Sequence, residues 1–292
     1  MRNTDATPAR LLITGAAGIV GSALRPQLRE RFDHLLLSDR EAVEDLAANE
    51  SYAACELSDP EGLSALVKQV DAVVHLGALV GAAHTFEETL EPNVVGTRNV
   101  LEAARREGVR RVVNASSHHV VGFSPRGQPL DHRAPLRPNG EYAVTKAYGE
   151  AAASYYADNF GLEILSIRIG YVGNEVNSER RLRTWVSPRD LARLVEIGLT
   201  SPGLRHEVVY GVSESPEPAF FDNRNAFRLG YQPQDQSVDQ VTDPAVPDTN
   251  PNLNTIEEGV VGGGFAAVGF EGDVAKVLKR DQPGGIPRRR RP

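Results

Sequence analysis

The chain contains 292 residues, of which 40% are hydrophobic and 24% are charged, and its formal net charge is −7. These values are ordinary for a soluble globular protein with one large domain, or with one domain that carries a small lobe. The negative charge argues against general binding to polyanions, so no nucleic-acid partner is expected. The four arginines at positions 288–291 are interpreted as a solvated tail.

Cysteine content and hydropathy indicate the compartment. Cys55 is the only cysteine in the sequence, which excludes an internal disulfide and favours a reducing compartment. Residues 1–10 lack the apolar core of a signal peptide, and no run approaches the roughly 20 apolar residues that span a bilayer. We therefore expect a cytoplasmic protein without a membrane partner.

Short apolar runs alternate with amphipathic stretches through the first 170 residues. Runs that are apolar on both faces are typical of buried parallel strands, and the stretches between them indicate helices. This alternation predicts an α/β fold of the Rossmann type, with a doubly wound parallel sheet in a domain over residues 10–170. The predicted strands are 10–14, 34–39, 71–76, 111–115 and 163–169, and the predicted helices are 19–31, 60–70, 85–107 and 140–160.

The pattern changes after Gly170. Residues 174–185 are polar and rich in arginine, and we interpret them as too irregular for a core element. Residues 171–233 are predicted to form a small C-terminal substrate lobe, while a helix at 186–200 is expected to pack on the first domain. From 234 to 292 the chain is rich in Asp, Pro, Asn, Gln and Gly, which predicts an extended or partly disordered tail with docked pieces near 265–278.

A glycine-rich turn follows the first predicted strand and opens the first predicted helix. Its glycines are Gly15, Gly18 and Gly21, a spacing that permits a tight turn, close approach of a pyrophosphate and close packing of helix on strand. The N-terminus of the helix then offers N–H groups and a favourable dipole to the phosphates. The second strand ends in Asp39, whose carboxylate can bond ribose hydroxyls and would repel a 2′-phosphate. These features predict an NAD site, although the adjacent Arg40 leaves the strictness of NAD over NADP open.

A tyrosine and a lysine lie four residues apart on the predicted helix 140–160. Tyr142 and Lys146 therefore share one face of that helix. A free phenol has a pKa of about 10, and a nearby positive charge favours the phenolate that can act as a base. Only four of the 32 basic residues are lysines, and Lys146 is the single lysine between positions 69 and 275. Ser117 follows the predicted strand 111–115, at the edge of the sheet where ligands bind in such folds.

Together these motifs resemble the extended short-chain dehydrogenase/reductase family over roughly residues 10–233. The resemblance implies that Ser117, Tyr142 and Lys146 form a catalytic triad, with Tyr142 as acid and base. Ser117 matches rather than Ser116, because it lies five residues before Gly122. The resemblance also assigns to the cofactor site Gly15, Gly18, Ile19, Gly21, Asp39, Glu56, Leu57, Leu76, Gly77, Ala78, Asn93, Tyr142, Lys146 and Ile169.

Within that family, the segments around Ser117, Ile169 and Trp185 are similar to those of uronate dehydrogenases and of archaeal NAD-dependent sugar and sugar-phosphate dehydrogenases. The resemblance implies oxidation of the C1 hydroxyl of a cyclic aldose, uronic acid or sugar phosphate to a lactone. Arg180 would then hold a carboxylate or phosphate, since a guanidinium can bond either anion bidentately. The implied substrate contacts are Ser117, His118, His119, Tyr171 and Arg180.

Three positions depart from the uronate dehydrogenase pattern. His118 stands where that pattern has Asn, and Tyr171 and Val80 stand where it has Ser. These departures leave the sugar open. No metal is expected, because adjacent residues that leave a strand should point to opposite sides and no further ligand cluster accompanies His118 and His119.

Two other functions remain open from the sequence. The scaffold also suits an epimerase or dehydratase of nucleotide sugars, although 171–233 is short for gripping a second nucleotide. A non-catalytic cofactor-binding protein is the other alternative. The resemblance further suggests a homodimer built on the predicted helices 85–107 and 140–160.

Overall fold

The computed structural model describes residues 8–216, 218–246 and 251–279. Its centre is a sheet of seven parallel strands in the order β3-β2-β1-β4-β5-β6-β7. The order reverses between β1 and β4, which is the position where ligands bind in doubly wound folds. The strands are β1 (Arg10–Thr14), β2 (His34–Asp39), β3 (Glu50–Ala54), β4 (Ala72–His75), β5 (Arg111–Ser117), β6 (Glu163–Ile169) and β7 (His206–Gly211). The predicted Rossmann-type doubly wound sheet is confirmed.

Strand β3 has no counterpart among the predicted strands. It forms one edge of the sheet, where only its first residue, Glu50, is buried, so its sequence ESYAA carries no continuous apolar run. Strand β7, which the sequence places in the substrate lobe, pairs with β6 and completes the sheet, with Ile164 opposite His206 and Ile169 opposite Gly211.

Helices cover both faces of the sheet. The helices up to residue 200 are α1 (Ile19–Leu28), α2 (Pro60–Val67), α3 (Phe86–Thr89), α4 (Gly96–Glu107), α5 (Glu141–Phe160), α6 (Glu179–Thr184) and α7 (Pro188–Thr200). The side chains of Leu11 and Ile13 belong to the core under α1 and α7, whereas Leu12 belongs to the core under α2, α4 and α5.

The predicted helix 85–107 is divided. Between α3 and α4 the residues Leu90–Val95 form a wider π-helical turn that contains Pro92. Proline lacks an N–H group and cannot complete the regular hydrogen-bond ladder, which accounts for the wider turn at this point.

The interpretation of 174–185 as too irregular for the core was wrong. Helix α6 lies within it, begins at a side-chain cap from Ser178, and buries Leu182 and Thr184. Arg183 is buried as well, because Glu179 pairs with its Nε at 3.0 Å. A polar sequence therefore packs inside the protein by satisfying its own charges.

Much of the predicted tail is docked on the rest of the chain. After α8 (Arg224–Arg228) it forms a short turn at Ser237–Gln240 and the helices α9 (Ile256–Gly259), α10 (Gly264–Ala267) and α11 (Val274–Lys279). Val260 and Val261 are buried, which places docked residues earlier than the predicted 265–278. Residues 247–250 and 280–292 of the predicted tail lie outside the described residues. Within the described ranges, none of the helices combines the length and the apolar character needed to cross a bilayer.

Candidate active site

Close packing leaves no room for a side chain at two of the three glycines in the turn between β1 and α1. Gly15 has a φ of +72°, and a side chain there would place its Cβ 2.5 Å from the N atom of Gly77. A Cβ at Gly21 would collide with the O atom of Gly15 and with Ala16. At Gly18 a Cβ would meet only the O atom of Gly15, at 3.3 Å, so packing within the chain does not demand that glycine. Helix α1 begins directly after Gly18, and its first N–H groups have no side-chain cap.

Asp39 lies beside the glycine turn at the end of β2. Its Oδ2 accepts a hydrogen bond from the N–H of Ala17 at 3.0 Å, and its Oδ1 accepts one from Glu41 at 3.3 Å. These bonds fix the half-buried carboxylate where the ribose of a dinucleotide would lie. Arg40 is exposed, and its Nε lies 3.7 Å from the carboxylate of Glu41.

Several residues that the family resemblance assigns to the cofactor site lie after β3 and β4. Leu57 packs so closely on Gly77 that a Cβ there would lie 2.9 Å from Leu57 Cδ1. Asn93 binds both backbone groups of Leu79, at 2.7 and 3.0 Å, and donates to Thr145 Oγ1 at 3.0 Å. Asn93 thus ties the loop after β4 to α5. Ile19 is exposed at the start of α1, while Glu56, Leu76 and Ala78 lie in the loops at the same end of the sheet.

The structure brings Ser117, Tyr142 and Lys146 together. Ser117 ends β5, the other two lie one turn apart on α5, and all three are buried. Lys146 Nζ donates to the O atom of Ala115 at 2.8 Å and lies 5.8 Å from the centroid of the Tyr142 ring. Ser117 Oγ also accepts the N–H of His119 at 3.2 Å.

Burial favours the neutral forms of the tyrosine and the lysine. It raises the pKa of Tyr142 to about 12, although a hydrogen bond with Ser117 acts in the opposite direction. It lowers the pKa of Lys146 to about 8. The sequence predicts that the charge of Lys146 lowers the pKa of Tyr142. In the chain alone, burial has the larger effect, and the pKa of Tyr142 is raised.

The expectation that His118 and His119 point to opposite sides was wrong. They form a tight helical turn after Ser117, and their ring centroids are 4.2 Å apart. His118 Nδ1 lies 2.9 Å from the O atom of Ile169, and His118 Nε2 lies 2.6 Å from Arg180 Nη2. Among residues 8–216, 218–246 and 251–279, no group of three His, Cys, Asp or Glu side chains could hold a metal ion.

His119 lies between α5 and the C-terminal segment. Its Nδ1 is 3.0 Å from the side-chain amide of Asn139, and its ring stacks on Phe265 with centroids 4.5 Å apart. Burial lowers the pKa of His119 to about 3. Tyr171 is half-buried, and the guanidinium of Arg181 lies 4.3 Å from its ring centroid. Val80 is exposed in the loop after β4.

Sequence reasoning missed three groups at this site. They are Asn139, the backbone carbonyl of Val261, which accepts from Arg180 Nε at 2.8 Å, and the ring of Phe265. The signal that could have found the last two is the stretch 260–266, where three glycines separate apolar residues in an otherwise polar tail. Such a stretch indicates backbone that packs closely against another surface.

The sequence matches the NAD dependent epimerase/dehydratase family over residues 11–203. The chain belongs to this family, and the predictions of an enzyme of the short-chain dehydrogenase/reductase type and of NAD as its cofactor are confirmed. It is 44% identical to the uronate dehydrogenase of Pseudomonas putida over 229 residues, 78% of this chain and 85% of the relative. It is 30% identical to the NAD-dependent glucose-6-phosphate dehydrogenase of Haloferax volcanii, over 78% of this chain and 94% of the relative.

The fold is similar to that of the Agrobacterium tumefaciens uronate dehydrogenase, solved as a mutant complexed with NAD. The TM-score is 0.79 at 35% identity, over 88% of this chain and 97% of the other. The predicted resemblance to the uronate and archaeal sugar dehydrogenases is therefore confirmed.

Proposed function

We propose that this enzyme oxidises the C1 hydroxyl of a cyclic uronic acid to a lactone, and that Arg180 binds the substrate carboxylate. Arg180 carries the proposal because no carboxylate pairs with it within the described ranges. Burial, together with the charges of Arg126 and Arg181, lowers its pKa to about 10. A desolvated cation among other cations is a favourable place for an anion.

The triad residues supply proton transfer in this proposal. Tyr142, as the phenolate, takes the proton of the C1 hydroxyl, and Ser117 Oγ bonds to the same substrate oxygen. Lys146 stabilises the phenolate with its ammonium charge. The burial of all three side chains where the end of β5 meets α5 supports this assignment.

The cofactor site fits NAD. Gly18 leaves room for a phosphate at the N-terminus of α1, and the fixed carboxylate of Asp39 suits an unphosphorylated ribose. When bound, NAD accepts the hydride from C1 of the sugar. Lys146 would also bond the nicotinamide ribose, and its Nζ lies beside the last residues of β5, which suits this role.

The proposal is tested with purified enzyme, NAD and matched sugars. Glucuronate and galacturonate represent uronic acids, glucose 6-phosphate represents sugar phosphates, and glucose and galactose are the neutral counterparts. We expect NADH absorbance to rise fastest with a uronic acid, and Tyr142→Phe to lower kcat by about 10²–10⁴-fold while NAD still binds. A preference for the neutral sugars would contradict the role of Arg180. A preference for glucose 6-phosphate would show that Arg180 binds a phosphate and not a carboxylate. Conversion of a nucleotide sugar without net reduction of NAD would instead indicate an epimerase or dehydratase.

We further propose that the enzyme forms a homodimer through α4 and α5. Three large apolar side chains are exposed along α5. The accessible fraction is 42% for Val144, 56% for Tyr155 and 40% for Phe160. A partner would cover them. We expect sedimentation to give a dimer at micromolar concentration and Tyr155→Glu to give a monomer, while Phe227→Glu on α8, at a comparably exposed site, leaves the dimer intact. A monomeric wild-type enzyme at these concentrations would contradict the proposal.

We also propose a cytoplasmic location, which the single cysteine of the sequence, Cys55, supports.

A further inference from the structure

Both ring nitrogens of His118 bond to protein groups in the buried interior of the site. Nδ1 lies 2.9 Å from the O atom of Ile169 at the end of β6, and Nε2 lies 2.6 Å from Arg180 Nη2 on α6. A carbonyl only accepts and a guanidinium only donates. The ring is therefore neutral, with its proton on Nδ1 and a lone pair on Nε2 directed at Arg180.

The guanidinium of Arg180 keeps donors for a ligand after these contacts. A guanidinium has five N–H groups. Within the described residues, the Nε–H bonds to the O atom of Val261 and one Nη2–H bonds to His118. Both N–H groups of Nη1 and the second one of Nη2 remain, and together they can bond a carboxylate bidentately.

We propose that His118 is a positioning residue that orients Arg180 for the acid group of the substrate. The inference rests on the proposed function, since it requires that Arg180 bind an anion. His118 and Val261 hold the guanidinium at two separate N–H groups, which fixes both its position and its rotation. A long flexible side chain that is fixed in advance loses less freedom when its ligand binds.

This role differs from a direct contact with the sugar. With Nδ1 and Nε2 both engaged, the His118 ring has no polar atom left for a sugar hydroxyl in this arrangement. Burial, with the neighbouring charge of Arg180, holds the pKa of His118 well below its usual value, so the acceptor on Nε2 persists near neutral pH. The residue that holds the arginine at Nη2 is thus His118, which stands where the uronate dehydrogenase pattern has Asn.

Two matched variants separate positioning from packing. His118→Gln keeps one donor and one acceptor, whereas His118→Met keeps the bulk and loses both. With the uronic acid that the wild-type enzyme oxidises best, we expect His118→Met to raise KM about tenfold or more, with kcat within about threefold and NAD affinity unchanged. We expect His118→Gln to stay within about threefold of wild type in KM.

The outcomes distinguish the two proposals. An unchanged KM in His118→Met, or a fall in kcat and NAD affinity that His118→Gln shares, would overturn the positioning role while the proposed function stands. A wild-type enzyme that binds NAD but oxidises no uronic acid would overturn the proposed function, and the positioning role with it.

The protonation state of the His118 ring can be measured in the wild-type enzyme, which does not depend on whether His118→Met folds. In protein labelled with ¹⁵N-histidine, and with the His118→Gln spectrum used for assignment, the His118 ring should be the neutral Nδ1–H form from pH 6 to 8. An Nε2–H form, or a ring that becomes charged in this range, would exclude the bond from Arg180.

Discussion

Tyr142 and Lys146 lie one helical turn apart, and burial shifts their pKa values in opposite directions. The pKa of Tyr142 rises to about 12 and that of Lys146 falls to about 8. The form that removes a proton from a hydroxyl is the phenolate paired with the ammonium. In the chain alone the protonated phenol is therefore favoured, and positive charge must be supplied to reach the active form.

These pKa values predict the pH dependence of sugar oxidation. Below its pKa, the phenolate fraction of Tyr142 increases tenfold per pH unit, so kcat/KM should rise steeply from pH 6. As the pH passes about 8, Lys146 loses the charge that supports the phenolate, so the rise should flatten. Initial rates of NADH formation between pH 6 and 9.5 measure the profile.

Variants assign the flattening to its residue. Lys146→Met should lower kcat/KM and abolish the break near pH 8. Lys276→Met is the control, because Lys276 is exposed on α11 and should leave the profile unchanged. The same break in Lys146→Met would show that another group causes it.

At the scale of elements, the sheet and the catalytic helix were predictable. Strands β1, β2 and β6 begin and end as predicted, and α5 begins one residue later than predicted, because buried strands and a long helix give strong patterns. Strand β3 was not predictable, since an edge strand needs little apolar surface. The contacts among His118, Arg180 and Val261 were not predictable either, because they join three stretches about 60 and 80 residues apart, and spacing along a sequence does not determine such pairings.

A buried ion pair joins α5, the helix that carries Tyr142 and Lys146, to the sheet. Glu150 on α5 accepts two hydrogen bonds from Arg168 on β6, at 2.8 and 2.9 Å, and one from Ser116 Oγ at 2.6 Å. Arg168 Nη1 also donates to the hydroxyl of Tyr210 at 3.1 Å. Since Glu150 lies one turn beyond Lys146, this network sets the position of α5 against the strands that carry Ser117 and Ile169.

Breaking this pair should destabilise the protein strongly. Glu150→Gln leaves the buried Arg168 without a carboxylate, and such a change costs about 3–5 kcal/mol in the free energy of unfolding. Urea denaturation measures it. Arg205→Ala is a matched control, because it removes an exposed pair with Asp158, which contributes less than about 1 kcal/mol. Equal losses in the two variants would contradict the proposed importance of the buried network.

At the scale of the molecule, residues 251–279 fold back onto the part of the site that contains His119 and Arg180. The N–H of Gly262 donates to the O atom of Gly122 at 2.8 Å, and that of Val261 donates to the O atom of Ser124 at 3.0 Å. The segment contributes the carbonyl that holds Arg180 and the ring that stacks on His119. None of these contacts reaches Gly15 or Asp39, so the docked segment lies apart from the glycine turn.

Truncation tests this separation. A chain that ends at residue 246 loses the hydrogen bond that Arg180 Nε donates to the O atom of Val261, and the stacking of Phe265 on His119. Because a hydrogen bond to a charged group contributes about 1.5–3 kcal/mol, the KM for the acid sugar should rise at least about tenfold. The dissociation constant for NAD should change little, since the glycine turn and Asp39 are intact, and it also reports that the truncated sheet is folded. A chain that ends at residue 279 keeps all of the described contacts and is the control. If the shorter chain binds NAD and oxidises the sugar with an unchanged KM, the docked segment has no part in holding Arg180.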